Sequence, residues 1–124
     1  MSMKDYPIMM FGVNTDDINI KPRYWMPWDE LQKLPENAPR PQYEEFDDFV
    51  DCAINDYDIA CESNDDSYYI GIFPRYDWQS VAGHKFKTET EAAKYLAKAL
   101  APFCDKSEAE IEAACDYIED TYCG

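Results

Sequence analysis

Two apolar runs predict the main strands of a sheet. Residues 7–13 (PIMMFGV) are continuously apolar and end at a polar NTDD cluster, which is typical of a strand covered on at least one face. Residues 67–73 (SYYIGIF) have the alternation of a strand, so Tyr68, Ile70 and Ile72 would share one face. We therefore expect two well-formed strands in these segments.

Shorter segments predict the rest of the sheet. The polar cluster at 14–17 indicates a turn, and residues 18–20 would form a short return strand. Residues 76–81 predict a strand or a turn into one, and residues 84–87 predict a short strand beyond an Ala-Gly turn. The predicted sheet consists of residues 6–13, 68–73 and 76–87.

The longest apolar periodicity predicts a helix over about 41–60. Its apolar positions recur at the spacing of one helix face: Phe46, Phe49, Val50, Ala53, Ile54 and Tyr57. Glu44 and Glu45 would lie in the first turn, at the positive end of the helix dipole. No basic residue lies one turn away within this helix, so packing has to offset the repulsion between its carboxylates. Alternatively, residues 57–62 form a strand that pairs with 67–73 through an SNDD turn.

Two capping boxes predict the start of two further helices. The sequence TETE places a hydroxyl at Thr88 and a carboxylate three residues later, and a helix would run from there to near Pro102. The sequence SEAE repeats this arrangement at Ser107, and the apolar stripe continues to Tyr122. Because the connection between them is short, the two helices would form an antiparallel hairpin.

A proline-rich segment lies between the first strand and the first long helix. Prolines divide residues 21–41, which excludes a long helix or a central strand and leaves room for one short helix over 28–34 (WDELQKL). Tyr24, Trp25 and Trp28 lie in this segment. Either they cover the core, or they are exposed anchors for a partner.

Together these elements predict a single α+β domain over 1–124, with a small antiparallel β-sheet packed by three α-helices. The chain is long enough to bury its own core, and its apolar content of 46% argues against disorder. No internal repeat or linker divides it.

The charge balance limits the possible partners. The formal net charge is −15, from 26 acidic and 11 basic residues, which disfavours direct binding to nucleic acid or to an anionic membrane. No segment resembles a signal peptide or a transmembrane helix. Five cysteines without a CxxC pair indicate reduced thiols. We therefore expect a cytoplasmic protein.

Residues for catalysis or cofactor binding are hard to find. His84 is the one histidine, and no serine or cysteine lies in a recognisable nucleophile motif. The cysteine spacing does not suit zinc, the acidic run lacks the order of a calcium loop, and the four glycines form no phosphate-binding loop. We therefore predict no catalytic residues, no metal and no cofactor, although an enzyme with an unrecognised site stays an alternative.

The acidic residues are concentrated in two segments. Residues 43–66 contain ten carboxylates and no Lys or Arg, and residues 105–120 contain seven carboxylates against Lys106. In the first segment, Asp48, Asp51, Asp58 and Glu62 would lie along the helix stripe opposite the apolar one. The candidate partner-binding residues are the acidic Glu44, Asp47, Asp48, Asp51, Asp58, Glu62, Asp65 and Asp66, with Trp25 and Trp28 as hydrophobic anchors.

In size, acidity and acidic helices on a compact α+β core, the chain resembles the small acidic proteins of phages and mobile elements that mimic nucleic acid and block nucleases. Anti-CRISPR and anti-restriction proteins belong to this class, so the resemblance implies that the chain acts in the cytoplasm of a bacterial host cell. Carboxylates one helical turn apart lie roughly 5–6 Å from each other, which is comparable to the spacing of phosphates along a strand. The resemblance implies a stoichiometric, non-catalytic inhibitor that binds the basic groove of a nucleic-acid-binding protein, with a Cas effector such as Cas9 as the leading target.

Two other interpretations of the same charge stay open. The acidity is explained by solubility alone, or the chain is an acidic adaptor that binds a basic cellular protein without mimicry. The oligomeric state is not indicated by the sequence.

Overall fold

A computed structural model describes residues 5–64, 67–72, 86 and 88–123 of the chain. Within these residues, four strands form one antiparallel sheet in the order β2-β3-β1-β4. The strands are β1 (Asp5–Asn14), β2 (Ala60–Ser63), β3 (Tyr68–Ile72) and β4 (Asp116–Cys123). The helices are α1 (Trp28–Gln32), α2 (Phe46–Asp48), α3 (Glu89–Leu100) and α4 (Glu108–Ala114). The predicted α+β class is confirmed.

The two predicted main strands are confirmed and lie next to each other at the centre of the sheet. Strands β1 and β3 pair in antiparallel register, with Phe11 opposite Ile72 and Val13 opposite Ile70. These four side chains are buried in the main core, on the face of the sheet that the helices cover. Alternation places Met10 and Tyr69 on the other face, in a small separate cluster.

Strand β4 replaces the second half of a predicted helix. The helix that begins after Ser107 ends at Ala114 rather than continuing to Tyr122, so the longer predicted helix is wrong. Residues beyond it pair with β1 along its length, from Gly12 opposite Asp116 to Asp5 opposite Cys123. The backbone hydrogen bonds of this long-range pairing outweigh the local helical periodicity.

The predicted helix over 41–60 is also too long. Helix α2 begins at Phe46 and continues as a π-helix over Phe49–Ile54. It ends at Asn55, which has a left-handed backbone with φ of 51°. A turn follows, in which the Asp56 side chain accepts a hydrogen bond from the amide of Asp58.

The alternative interpretation of the next segment is confirmed instead. Strand β2 overlaps the last three residues of the strand predicted at 57–62 and extends one residue beyond it, to Ser63. It pairs with β3, with Cys61 opposite Ile70 and Ser63 opposite Tyr68. Asn64 and Ser67 adjoin the ends of the two strands, and the amide of Ser67 donates a hydrogen bond to the Asn64 side chain.

The helix starts agree with the sequence prediction. Thr88 accepts a hydrogen bond from the amide of Glu91 at the start of α3, and Ser107 and Glu110 form a reciprocal capping box at the start of α4. These hydrogen bonds to Ser107 lower the pKa of Glu110. Helix α1 lies within the predicted 28–34.

The predicted return strand at 18–20 is wrong. The polar cluster before it forms a 3-10 helix over Thr15–Asp17, and Ile20 makes a single β-bridge to Cys104. The strands predicted at 76–81 and 84–87 lie outside the described residues, except for Phe86, which is buried and packs against the ring of Tyr95 at 4.9 Å between centroids.

Close approach of β1 and β3 requires two glycines. Gly12 and Gly71 are opposite each other, and a Cβ on Gly12 would overlap the carbonyl oxygen of Ile70 and the Cα of Gly71. We expect Gly12→Ala to lower the free energy of unfolding by at least about 2 kcal/mol, because backbone atoms have to move. Urea denaturation followed by circular dichroism measures this loss. Glu119→Ala on β4, where the side chain is exposed, is the control and should change it by less than about 0.5 kcal/mol.

Candidate acidic interface

The proline-rich segment places two tryptophans differently. Trp25 is 3% exposed and belongs to the core, as the core interpretation predicted for it. Trp28 is the first residue of α1, directly after Pro27, and is 55% exposed. Tyr24 is half-buried and packs edge-on against Phe103. One of the two predicted tryptophan anchors is therefore available to a partner, and the other is structural.

Trp28 lies at the rim of an open cleft of about 420 Å³. The cleft is bordered by α1, by the start of α2 and by the paired ends of β2 and β3. Its lining combines aromatic and acidic side chains: Trp25, Trp28, Glu44, Glu45, Phe46, Asp47, Ser63 and Tyr68. The cleft thus contains four of the ten predicted partner-binding residues, namely Trp25, Trp28, Glu44 and Asp47.

Three aromatic rings form the base of this cleft. Trp25 is 4.9 Å from Phe46 and 4.9 Å from Tyr68 between ring centroids, and Phe46 is 5.1 Å from Tyr68. Mutual edge-to-face and tilted contacts of this kind stabilise ring pairs beyond the area that they bury. Because Trp25 and Phe46 are also nearly fully buried, the base of the cleft is fixed by the core.

Glu44 is the one cleft carboxylate with a cationic partner among the described residues. Arg40 donates two hydrogen bonds to it, at 3.0 Å from Nε and 3.2 Å from Nη2. Both side chains of this pair are exposed, and the hydrogen bond from Arg40 lowers the pKa of Glu44. The acidic segment therefore has a basic partner in Arg40, which lies just before it in the chain.

Glu45 and Asp47 are the two other cleft carboxylates, and both are exposed. Asp47 accepts a hydrogen bond at 3.4 Å from the thiol of Cys61 on β2. Burial, together with this hydrogen bond, raises the pKa of Cys61 to about 12, so the thiol stays protonated and able to donate. Within the described chain, neither carboxylate forms an ion pair. Asp47 also lies in the first turn of α2, where negative charge is favourable.

The remaining predicted binding residues do not form one row. Asp48 and Asp51 are exposed beyond the cleft, on the helical segment, while Asp58 lies in the turn after it. Alternation along β2 places Glu62 on the Met10 face of the sheet, away from the cleft. The predicted single acidic stripe is therefore wrong, because the helix ends at Asn55. Asp65 and Asp66 lie outside the described residues.

The second acidic segment is likewise divided between elements. Glu108, Glu110 and Glu112 belong to α4, whereas Asp116 and Glu119 belong to β4. Lys106 lies 4.0 Å from Glu110, at the outer limit of an ion pair. The expectation that residues 105–120 form a second acidic helix is therefore wrong, because these residues are divided between α4 and β4. The carboxylates around the cleft, in the first acidic segment, are the better candidate for a binding surface.

No protein-family model, curated protein or solved structure matches this chain. Function therefore has to be inferred from the cleft and from the charge around it.

Other chemistry is sparse in the described part of the chain. No three His, Cys, Asp or Glu side chains there lie close enough together to hold a metal ion. Burial raises the pKa values of Cys104 and Cys115 to about 12, which disfavours their thiolates. His84 lies outside the described residues. None of the described helices is both long and apolar enough to span a membrane.

Four residues of the cleft lining were not among the predicted binding residues: Glu45, Phe46, Ser63 and Tyr68. Arg40 pairs with Glu44 across an irregular segment that precedes α2, so helical spacing did not indicate this pair. Ser63 and Tyr68 reach the cleft through pairing of β2 with β3. No local pattern indicates that contact.

Proposed function

We propose that this chain is a non-catalytic acidic protein that binds a basic surface of a nucleic-acid-binding enzyme and inhibits it by nucleic-acid mimicry. One observation carries the proposal. Around the cleft and the helical segment after it, four exposed carboxylates have no cationic partner among the described residues: Glu45, Asp47, Asp48 and Asp51. A Cas nuclease such as Cas9 is the leading candidate target, since its channels are lined with Lys and Arg for nucleic-acid backbones.

The physical basis is complementary charge. The net charge of −15 steers the chain toward a positive groove, and the rate of such encounters falls with ionic strength. Asp48 and Asp51 lie three residues apart in the helical segment, which corresponds to roughly 5–6 Å between them where the backbone is helical. Glu45 precedes them at the N-cap of α2, where the backbone is extended. The spacing between Asp48 and Asp51 supports substitution of carboxylates for a short row of phosphates.

A second candidate is an acidic adaptor that binds a basic protein without displacing nucleic acid. The dispersal of the other carboxylates favours it, because Asp58 lies in a turn and Glu62 on the opposite face of the sheet. A phosphate mimic gains most from a long regular row of charges. The exposed Trp28 beside the cleft also suits recognition of one specific protein surface.

Competition for nucleic acid separates the two candidates. Purified protein is titrated into a guide-loaded Cas9 complex and fluorescent target duplex at about 50 mM and 200 mM salt, and bound duplex is measured by anisotropy. Mimicry predicts stoichiometric release of the duplex, with an apparent affinity that falls as salt rises.

An adaptor instead gives a ternary complex in which the duplex stays bound and the anisotropy rises. Equal duplex binding and cleavage with and without excess protein at both salt concentrations would overturn the assignment of Cas9 as target. The same titration with other nucleases, including restriction enzymes, then tests mimicry as a class. The shift of the chain in size-exclusion chromatography reports binding independently of cleavage.

A further inference from the structure

The ring of Trp28 is an exposed aromatic surface in the cleft lining. Trp28 is 55% exposed, whereas the neighbouring Trp25 and Phe46 are 3% and 7% exposed. An exposed tryptophan that borders a cleft of about 420 Å³ offers a large apolar surface. Tryptophan is also the side chain whose ring attracts cations most strongly.

Acceptor oxygens lie in the same cleft. Asp47 uses one of about four lone-pair directions for the Cys61 thiol, and Glu45 forms no ion pair within the described chain. Glu44 already binds the guanidinium of Arg40 through both oxygens. The cleft therefore retains two carboxylates that can accept hydrogen bonds from a donor on a partner.

We propose that the cleft accepts one arginine side chain of a basic partner protein, with the guanidinium stacked on Trp28 and hydrogen-bonded to Asp47 and Glu45. This inference rests on the proposed function, which supplies the basic character of the partner. Charge complementarity selects a cation, and the combination of a flat ring with carboxylates selects a planar cation with several donors.

Competing occupants fit less well. A lysine ammonium is a compact charge that gains less from stacking than a guanidinium does. A quaternary ammonium is held by several exposed rings, but of the four aromatic rings that line the cleft Trp28 is exposed, Tyr68 is half-buried, and Trp25 and Phe46 are buried. The chain itself places an arginine over a ring elsewhere, with the guanidinium of Arg23 at 4.9 Å from the Tyr24 ring.

Binding of two matched peptides tests the proposal. One nonapeptide alternates Arg and Gly, and the other alternates Lys and Gly, so that charge and length are equal. Each is titrated into the full chain at about 50 mM salt, and the indole N–H of Trp28 is followed by NMR after assignment with Trp28→Phe. We expect shifts at Trp28 and tighter binding of the arginine peptide.

Variants locate the contact. Trp28→Ala should weaken arginine-peptide binding about threefold to thirtyfold, while Trp28→Phe retains part of the affinity because a ring remains. Asp47→Asn should reduce the preference for arginine over lysine. Asp105→Asn removes another exposed carboxylate that lies away from the cleft and should leave the preference intact. Circular dichroism confirms that each variant is folded.

Equal affinity for the two peptides, or unchanged arginine binding in Trp28→Ala, would overturn the proposal. These outcomes are distinct from failure of the proposed function. If the arginine peptide binds at Trp28 but no nuclease is inhibited, the cleft inference holds and inhibition is rejected. If a nuclease is inhibited equally by wild type and Trp28→Ala, inhibition holds and the cleft inference is rejected.

Discussion

Phe49→Ala is expected to lower the free energy of unfolding by about 3–5 kcal/mol, the cost of truncating a fully buried phenylalanine. The Phe49 side chain is completely buried in the π-helix after α2. Its ring contacts rings from three other parts of the chain, with centroid distances of 6.5 Å to Trp25, 6.2 Å to Tyr43 and 5.6 Å to Phe103. Its loss would leave a cavity between the acidic helical segment and the rest of the core.

Equilibrium urea denaturation, followed by tryptophan fluorescence and circular dichroism, measures this effect. Small domains are stable by about 5–15 kcal/mol, so the variant should still fold but with a much lower midpoint. Cys52→Ala is the matched control, because Cys52 lies in the same π-helix and is exposed. A loss below about 1 kcal/mol for Phe49→Ala would contradict its position in the core.

Neutralising four carboxylates at the cleft and the adjoining helical segment is expected to weaken binding of a basic partner by at least about tenfold at 0.15 M salt. The variant combines Glu45→Gln, Asp47→Asn, Asp48→Asn and Asp51→Asn, which keep side-chain shape and remove charge. Exposed ion pairs contribute roughly 0.2–1 kcal/mol each, so at a central value of about 0.5 kcal/mol four of them sum to about 2 kcal/mol, which is more than the 1.4 kcal/mol of a tenfold change. Binding should also become less dependent on salt.

A charge-matched variant separates local from global electrostatics. Glu36→Gln, Asp105→Asn, Glu108→Gln and Glu119→Gln remove the same number of exposed carboxylates from other elements, so each variant loses four of the fifteen net negative charges. Isothermal titration calorimetry with the partner at two salt concentrations compares them. Equal weakening by both variants would show that only net charge matters and that the segment around α2 is not the contact surface.

The limits of the helix prediction at 41–60 have a clear physical origin. The apolar spacing from Phe46 to Ile54 is genuine, since Phe46, Phe49 and Val50 are buried. Tyr57 continued the spacing by coincidence and is fully exposed. Asn and Asp at 55–58 favour a left-handed backbone and turns closed by a side chain, and these preferences end the helix at Asn55. The apolar periodicity alone did not indicate this end.

Strand β4 shows a different limit. Its residues follow a helical stripe that begins in α4, and they are also rich in the Tyr, Ile and Thr that strands favour. Only the presence of β1 as a partner decides between the two states, and that partner is distant in sequence. Strands β1 and β3 and the helix starts at Thr88 and Ser107 were predictable because their signals are local.

The cleft combines both kinds of information. Its acidic residues and Trp28 were identifiable from composition, because they are unusual polar or aromatic residues in short segments. The sequence did not indicate that these residues meet in one cleft. Trp28 is separated from α2 by part of the proline-rich segment, and Tyr68 is separated from α2 by strand β2. Exposure also distinguishes Trp28 from Trp25, and burial of a side chain depends on the whole fold.

The sheet order has a consequence for the time course of folding. The central strand β1 has β3 on one side and β4 on the other, and Gly12 pairs with Asp116 across roughly a hundred residues of chain. Such distant contacts form slowly, because the chain loses the entropy of the intervening loop before the contacts between the strands contribute any stability. On the ribosome, β1 is made early but gains this neighbour only when β4 has emerged. Until then one edge of the central strand lacks its native cover, and the nascent chain is at its most prone to aggregation.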